Sequence, residues 1–308
     1  MTGWRLVSDA GGTNVRFARA EAGKDLQKRS SYPVSRFASF TDALRTYLDE
    51  TGGKNGCIGA AIGAAGRISS GAVRLTNLAW DISETEVSSE LGAPCTLIND
   101  VQAVSFSLPV LSTADFLTLG PPEPGFAAAR RFLVANIGTG FGAATLVRIS
   151  GGWTSCPSEA GHMELTFSGW GDNSLRQEFT SVEHVLSGRG LCNLHAALAN
   201  DTHAHAPSDI IAKASADPHH ATTLRLFTQI AGDVLGNLVL AVAAWDGVFL
   251  CGSVARGFAQ AADLALLRQA FEGTGRMSEW KKRIPIALVT KDDAALTGLA
   301  VLPLGGCY

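Results

Sequence analysis

Charge is scarce in this sequence. Asp, Glu, Lys and Arg make up only 17% of the 308 residues, the net charge is −3, and no long run of lysine or arginine occurs. A nucleic-acid face or a patch for an anionic membrane needs concentrated positive charge, so neither partner is expected. Long apolar runs are missing too. The nearest approach to one, residues 235–251, is interrupted by Gly236, Asn237, Asp246 and Gly247. It reads as a buried helix followed by a buried strand, not as a membrane span. The opening residues, Met1-Thr2-Gly3-Trp4-Arg5, lack the charged and apolar regions of a signal peptide, which makes the cytoplasm the expected location. The six cysteines (Cys57, Cys95, Cys156, Cys192, Cys251, Cys307) are scattered with no CxxC pair. Neither metal-ligand spacing nor a disulfide framework is indicated, and most are expected to be small buried hydrophobes.

What is present is apolar mass. Hydrophobic residues are 46% of the chain, enough for a sizeable core, and the length suits two domains. The first segment reads as a strand at 5–8, a turn at 9–14 and a second strand at 15–20. A helix is expected at 40–49, capped by Ser39 or Thr41 and closed by Gly52-Gly53. Short strands follow at 57–62 and 95–99, then a helix at 101–108 ended by Pro109. A domain change is expected near 107–114. The second segment opens alike, with a strand at 131–137, a glycine turn at 138–142 and a strand at 143–149. Helices are expected at 174–199, 222–244 and 254–271, strands at 247–251 and 286–290, and a last helix at 292–302. Such alternation predicts an α/β protein with helices over its sheets.

Two turns carry the chemical signal. Asp9-Ala10-Gly11-Gly12-Thr13-Asn14 lies between two strands, where glycines let the backbone approach a ligand and successive N–H groups can cradle a phosphate. Thr13 adds a hydroxyl, and Asp9 is placed to hold Mg²⁺ through water. A plain Gly-Gly hairpin is the simpler account, but the flanking Asp, Thr and Arg16 favour phosphate. Gly138-Thr139-Gly140-Phe141-Gly142 is the second turn. It is no dinucleotide fingerprint, because a strand follows it. A third turn, Gly252-Ser253, opens a helix whose N–H groups can meet a nucleotide, or it is merely a tight connection.

The carboxylates come next. Asn99-Asp100 ends a buried strand, where open α/β sheets place ligand groups. Asp100 can accept a hydroxyl proton as that oxygen attacks a phosphate, and it also suits the N-cap of the following helix. Glu159 and His162 flank a small-residue turn, and Glu183 lies in a helical stretch. As carboxylates, Glu159 and Glu183 suit sugar hydroxyls; Glu159 and His162 can also be metal ligands, though no further partners are apparent. His203, His205, His219 and His220 fall in polar, Ala/Pro/Asp-rich stretches and read as exposed loop residues, with a metal site as a minor alternative.

Seven blocks in order give the chain a resemblance: residues 9–16; Leu75-Thr76-Asn77 with Trp80; Leu97-Ile98-Asn99-Asp100; residues 138–142; residues 158–162; Glu183 with Leu186-Ser187-Gly188; and residues 247–253. Over nearly its whole length the sequence resembles the bacterial-type glucokinases of the actin-like (ASKHA) sugar kinases. That likeness implies a two-domain actin-like (ribonuclease H-like) ATPase fold with a central cleft. Residues 1–107, joined by the C-terminal helix at about 292–308, would form the small domain, and 108–291 the large one. It implies ATP with Mg²⁺, glucose or a similar hexose as acceptor, and a homodimer. Asp100 would be the base toward the 6-hydroxyl, with Asn99, Glu159, His162 and Glu183 on the other hydroxyls. Asp9, Gly11, Gly12, Thr13, Asn14, Gly138, Thr139, Gly140 and Gly252 would serve ATP and its metal. A non-catalytic sugar-binding regulator is the alternative on the same scaffold. Ala160 stands where the family often has glycine, and Ser253 replaces the usual second glycine of the nucleotide turn. The cysteine-rich zinc motif of the related ROK kinases is absent, so no structural zinc is expected.

Overall fold

Trp4–Ala10 (β1), with no exposed residue, and Asn14–Ala20 (β2), buried from Phe17 onward, form an antiparallel hairpin with Ala10 opposite Val15. The computed structural model describes residues 3–75, 80–171, 173–200 and 203–302. Thr76, Asn77 and Cys307, named above, lie outside the described residues, as does the end of the expected C-terminal segment. Gln27–Pro33 (β3), which the sequence reading missed, pairs with the outer side of β2. Phe40–Thr51 (α1) is capped by Ser39, whose hydroxyl accepts from Asp42 N–H, and closed by Gly52 in the left-handed conformation. Cys57–Ala64 (β4) runs parallel to β1. Three short strands, Ile68–Ser69 (β5), Ala72–Arg74 (β6) and Asp81–Ser83 (β7), form a small sheet of their own before Glu84–Leu91 (α2). Cys95–Asn99 (β8) pairs parallel to β4 and leads into Asp100–Ser107 (α3). The first sheet therefore has the order β3-β2-β1-β4-β8. Phe17 stacks on Tyr47 at 5.0 Å in the core beneath it.

The second sheet repeats this plan. Phe116–Thr118 (β9) is an added edge. Arg131–Ile137 (β10) and Phe141–Ile149 (β11) form the opening hairpin, and Gly152–Ser158 (β12) lies outside β11. The turn is shorter than expected: Ile137 pairs with Phe141, so only residues 138–140 lie outside the strands. The helix expected at 174–199 is three pieces, Asn173–Glu178 (α4), Val182–Val185 (α5) and Gly188–Ala199 (α6). Ser181 and Ser187 interrupt it, each in an extended conformation and capping the piece that follows. Pro207–Lys213 (α7) precedes Pro218–Val242 (α8), whose N-cap Asp217 accepts from the N–H groups of His219 and His220. This 25-residue helix is long and apolar enough to cross a membrane by composition alone. Its Leu224, Phe227, Ile230, Ala231 and Leu235 lie instead in the core of the second sheet's layer. Val248–Cys251 (β13) pairs parallel to β10. The single helix expected at 254–271 is two, Ser253–Ala261 (α9) and Leu264–Glu272 (α10), because Asp263 caps a new start. Ser278–Lys281 (α11) and Ile286–Val289 (β14) follow, and the order is β12-β11-β10-β13-β14-β9.

Two compact units result. One comprises Met1–Leu111, Thr154–Cys156 and Asp292–Tyr308, the other Ser112–Trp153 and Pro157–Lys291. In the first, the last described helix, Ala294–Val301 (α12), packs on α3, β1 and β4. Contact with α3 is close enough that a side chain on Gly298 would meet the Ala103 carbonyl at 1.8 Å. No described cysteine forms a disulfide. Only Cys251 is buried, Cys57, Cys95 and Cys192 are half-buried and Cys156 is exposed, so the expectation of mostly buried cysteines fails.

Candidate functional site

In the first unit the site residues gather at one edge of the sheet. Parallel pairing sets Asp9 opposite Gly63 of β4, and Ala64 opposite Asn99 of β8. The carboxyl ends of β1 and β8 thus bring Asp9 and Asp100 to the same end, across β4. Gly63 makes room for this: a Cβ there would lie 3.1 Å from Ala103 Cβ, so α3 settles close over the sheet. Asp100 is not the cap of α3, as the sequence suggested. Asn99 is, accepting from the N–H groups of Val101 at 2.9 Å and Gln102 at 3.4 Å, while the Gln102 side chain accepts from Asn99 N–H at 3.1 Å. Asn99 Oδ1 is therefore committed to the cap, and its side chain also hydrogen-bonds Asp100.

That cap sets Asp100 in the first turn of α3, with Oδ1 accepting from Val101 N–H at 2.9 Å. Asp100 is only partly exposed and closely surrounded by protein, and this desolvation pushes its carboxyl above the usual range. Hydrogen bonds from backbone N–H groups and from Asn99 offset part of the rise. Asp9 is pushed up to about 6, first by burial and then by the neighbouring Asp100 charge, with Arg16 opposing. Arg16 compensates weakly. Its guanidinium lies 3.9 Å from Asp9 Oδ2 and donates at 3.0 Å to the Asp292 carbonyl. Beside Asp9, Gly11 N–H donates to Asn14 O at 3.1 Å, and Val34 N–H holds the Thr13 carbonyl at 3.0 Å. Gly12, Thr13 and Asn14 are exposed. Neither Gly11 nor Gly12 has a positive φ, so the turn does not use the left-handed freedom of glycine; Gly11 gives space, since a Cβ there would come within 3.3 Å of Asn14 O.

In the second unit three glycine segments converge. Gly138 N–H closes its turn on Gly140 O at 3.0 Å, and Gly188 N–H, opening α6, donates to Gly138 O at 2.8 Å. Gly252 precedes α9 with φ 102°, and a Cβ on it would meet Asn136 Oδ1 at 2.3 Å and Ile137 O at 2.5 Å. The end of β10, with Asn136 opposite Cys251 of β13, thus holds the Gly138 turn and the Gly252 turn side by side. No side chain caps α9, so its first N–H groups remain as anion donors. Asn136 and Gly188 went unremarked as turn partners in the sequence, because only the strand register and α6 bring them there.

Around the same hairpin, Glu183 Oε2 accepts from Phe141 N–H at 2.8 Å. Gly161 packs so tightly on β11 that a Cβ would lie 2.4 Å from Phe141 O and 3.5 Å from Glu183 Cβ. Glu159 and His162 flank it with exposed side chains, Oε2 and Nε2 being 3.9 Å apart. The second unit therefore brings together Gly138, Thr139, Gly140, Gly252, Glu159, His162 and Glu183. The first brings together Asn99, Asp100, Asp9 and the turn at 11–14.

Glycine turns at strand ends, a desolvated carboxylate at a strand end and further carboxylates suited to hydroxyls fit a sugar kinase on an actin-like α/β scaffold. Comparison with known proteins narrows the class. The glucokinase family model matches residues 6–304. A glucokinase of Nitrobacter hamburgensis is 34% identical over 99% of this chain and 98% of its own. The crystal structure of a glucokinase from an Antarctic psychrotroph superposes with a TM-score of 0.80 at 28% identity, covering 97% of this chain and 98% of that one. A Balamuthia mandrillaris glucokinase, solved with glucose, shares the fold at TM-score 0.80 and 21% identity, covering 97% and 93%. The chain belongs to the glucokinase family, the enzymes of ATP-dependent glucose phosphorylation.

Proposed function

We propose that this chain transfers the γ-phosphoryl group of ATP to the 6-hydroxyl of glucose, with Asp100 as general base. The observation that carries this reading is the setting of Asp100: rigidly placed in the first turn of α3, desolvated, and raised above an ordinary carboxyl. A base moved toward the working pH takes the hydroxyl proton more effectively as the oxygen attacks. Phosphoryl transfer otherwise needs positioning and charge stabilisation, and the backbone turns are suited to both. In this reading Gly138, Thr139, Gly140, Gly252 and the first N–H groups of α9 receive ATP phosphates, as do Gly11, Gly12, Thr13 and Asn14. The Asn99 amide, Glu159, His162 and the remaining oxygen of Glu183 read the other sugar hydroxyls.

Mg²⁺ fits the first unit. Asp9 and Asp100 are neighbouring carboxylates, with Arg16 the cation beside Asp9 among the described residues, and Asp9 offers the hard oxygen this ion prefers, through water. Bound there, the ion would neutralise phosphate charge. The two compact units serve as the small and large domains. The reading also puts the protein in the cytoplasm, where ATP is made and its cysteines stay reduced, and as a homodimer, a point supported only by the family resemblance. Light scattering on the purified protein tests the dimer.

The direct test is ADP release with Mg²⁺ and ATP across a panel of glucose, mannose, fructose and glucosamine, against ATP alone. Glucose should give the highest kcat/KM. Release that needs no sugar, or a clear preference for another hexose, overturns the assignment.

A further inference from the structure

Four histidines near residues 203–220 read from sequence as loop surface, yet the fold buries one of them against an unforeseen fifth. His220, in the first turn of α8, is 7% exposed, and His195, on α6, is 1% exposed. His205, two residues before α7, completes a group of three. One ligating atom from each lies within 4.8 Å of the others, and the ring centroids of His195 and His220 are only 4.2 Å apart. His205 meets His195 edge-on at 4.9 Å. All three belong to the second unit.

The surroundings prepare these imidazoles as ligands. Thr223 Oγ1 gives its only proton to the His219 carbonyl at 2.9 Å. It must therefore accept from His195 Nδ1–H, also 2.9 Å away, which leaves Nε2 as the lone-pair nitrogen. His220 is buried with neither ring nitrogen hydrogen-bonded among the described residues, although Asp217 Oδ1 lies 3.1 Å from its Nδ1. A hydroxyl bonded to one imidazole and a carboxylate close to another are the kinds of neighbour that orient metal-binding histidines. Ring contacts alone, tilted between His195 and His220 and edge-on to His205, would leave the His220 Nε2 uncompensated, and buried polar atoms rarely remain so.

We propose that His195, His205 and His220 bind a borderline divalent cation of the zinc class, tying the segment ahead of α7 to α6 and α8. Three imidazoles suit zinc, with water at the fourth position. Zinc–nitrogen bonds of about 2.1 Å set ligand nitrogens roughly 3.4 Å apart in a tetrahedron, so the rings need to close by up to about 1.4 Å. His205, on a connecting segment and partly exposed, is the member of the three that lies outside the helices. This set is distinct from the cysteine motif of the ROK kinases and from the Mg²⁺ proposed at Asp9.

The test is calorimetric titration of chelator-treated, full-length protein with ZnCl₂, together with Co²⁺ absorption to report coordination. Wild type should bind one equivalent with a dissociation constant at or below about 1 μM and show the visible bands of four- or five-coordinate Co²⁺. His205→Gln, chosen because it lies outside the helices, should weaken binding at least about tenfold without lowering the metal-free melting temperature. His219→Gln, on an exposed neighbour, should bind as wild type does. Equal affinity in wild type and His205→Gln, or loss on His219→Gln instead, would overturn the site, as would wild type binding no zinc.

Discussion

The Glu183 carboxylate occupies the space in front of Gly140: Oε2 lies 2.5 Å from where a Cβ on that glycine would stand, and the same oxygen accepts the Phe141 N–H at 2.8 Å. Gly140 has no positive φ, so glycine is needed there for room, not for backbone freedom. Gly140→Ala should therefore push Glu183 off Phe141 and open the turn. A displacement of about 1 Å at such a site costs on the order of 10²-fold in kcat/KM. Glu183→Gln keeps an acceptor for Phe141 and should lose less. Steady-state kinetics on both variants checks the order; an active Gly140→Ala would mean that Glu183 does not set the turn.

Asp100→Asn preserves the shape of the first turn of α3 and removes the base. kcat should fall about 10²–10⁴-fold with little change in the circular dichroism spectrum. Because burial raises the Asp100 carboxyl, the acid limb of the wild-type kcat/KM profile should lie above the ordinary carboxylate range. Residual activity of the variant should lack that limb. Near-wild-type turnover in Asp100→Asn would refute the role.

Asp9 ties stability to pH. Its carboxyl, raised from 3.8 to about 6, keeps a proton in the native protein that the unfolded chain has already released. Native protein binds more protons between about pH 4 and 6, so this group's contribution is most favourable below pH 4 and is lost as pH rises through 6. Asp9→Asn should raise stability at pH 7 by about 3 kcal/mol and hardly at all at pH 4, while impairing catalysis. Urea midpoints in Mg²⁺-free buffer at the two pH values measure it, and an equal effect at both would contradict the assigned shift.

Gly252 combines a φ of 102° with backbone and side-chain atoms within 2.5 Å of its missing Cβ. Backbone strain and overpacking should together make Gly252→Ala less stable by about 3 kcal/mol. Gly275, with open space around it and no positive φ, should accept alanine almost without effect. Chemical denaturation of the pair separates a required glycine from an incidental one.

Removing the cap of α3 tests the frame that holds Asp100. Asn99→Ala leaves Gln102 N–H without its side-chain acceptor and Val101 N–H with Asp100 alone, and should cost about 1 kcal/mol. It should also lower kcat more than stability explains, since Asp100 sits on the turn that Asn99 fixes. Asn99→Asp, which caps as well, should recover the stability but not the activity.

The sequence by itself determined the elements whose signals are local. Glycine turns between apolar strands at 11–13 and 138–140, Ser39 and Gly52 around α1, and the Asn99-Asp100 strand end were all legible, because capping and turn chemistry act over a few residues. Local signals also misled. The apolar period at 174–199 read as one helix, while Ser181 and Ser187 diverted the backbone into caps and made three. Only the tertiary structure decided which turns share a site. Parallel pairing of β10 with β13 sets Gly252 beside Gly138, and parallel pairing through β4 sets Asp9 beside Asp100, across separations no local pattern encodes. Burial was decided there as well. His195 and His220 come from different helices, and their common enclosure depends on how α6 packs against α8, a long-range choice made by the whole hydrophobic core.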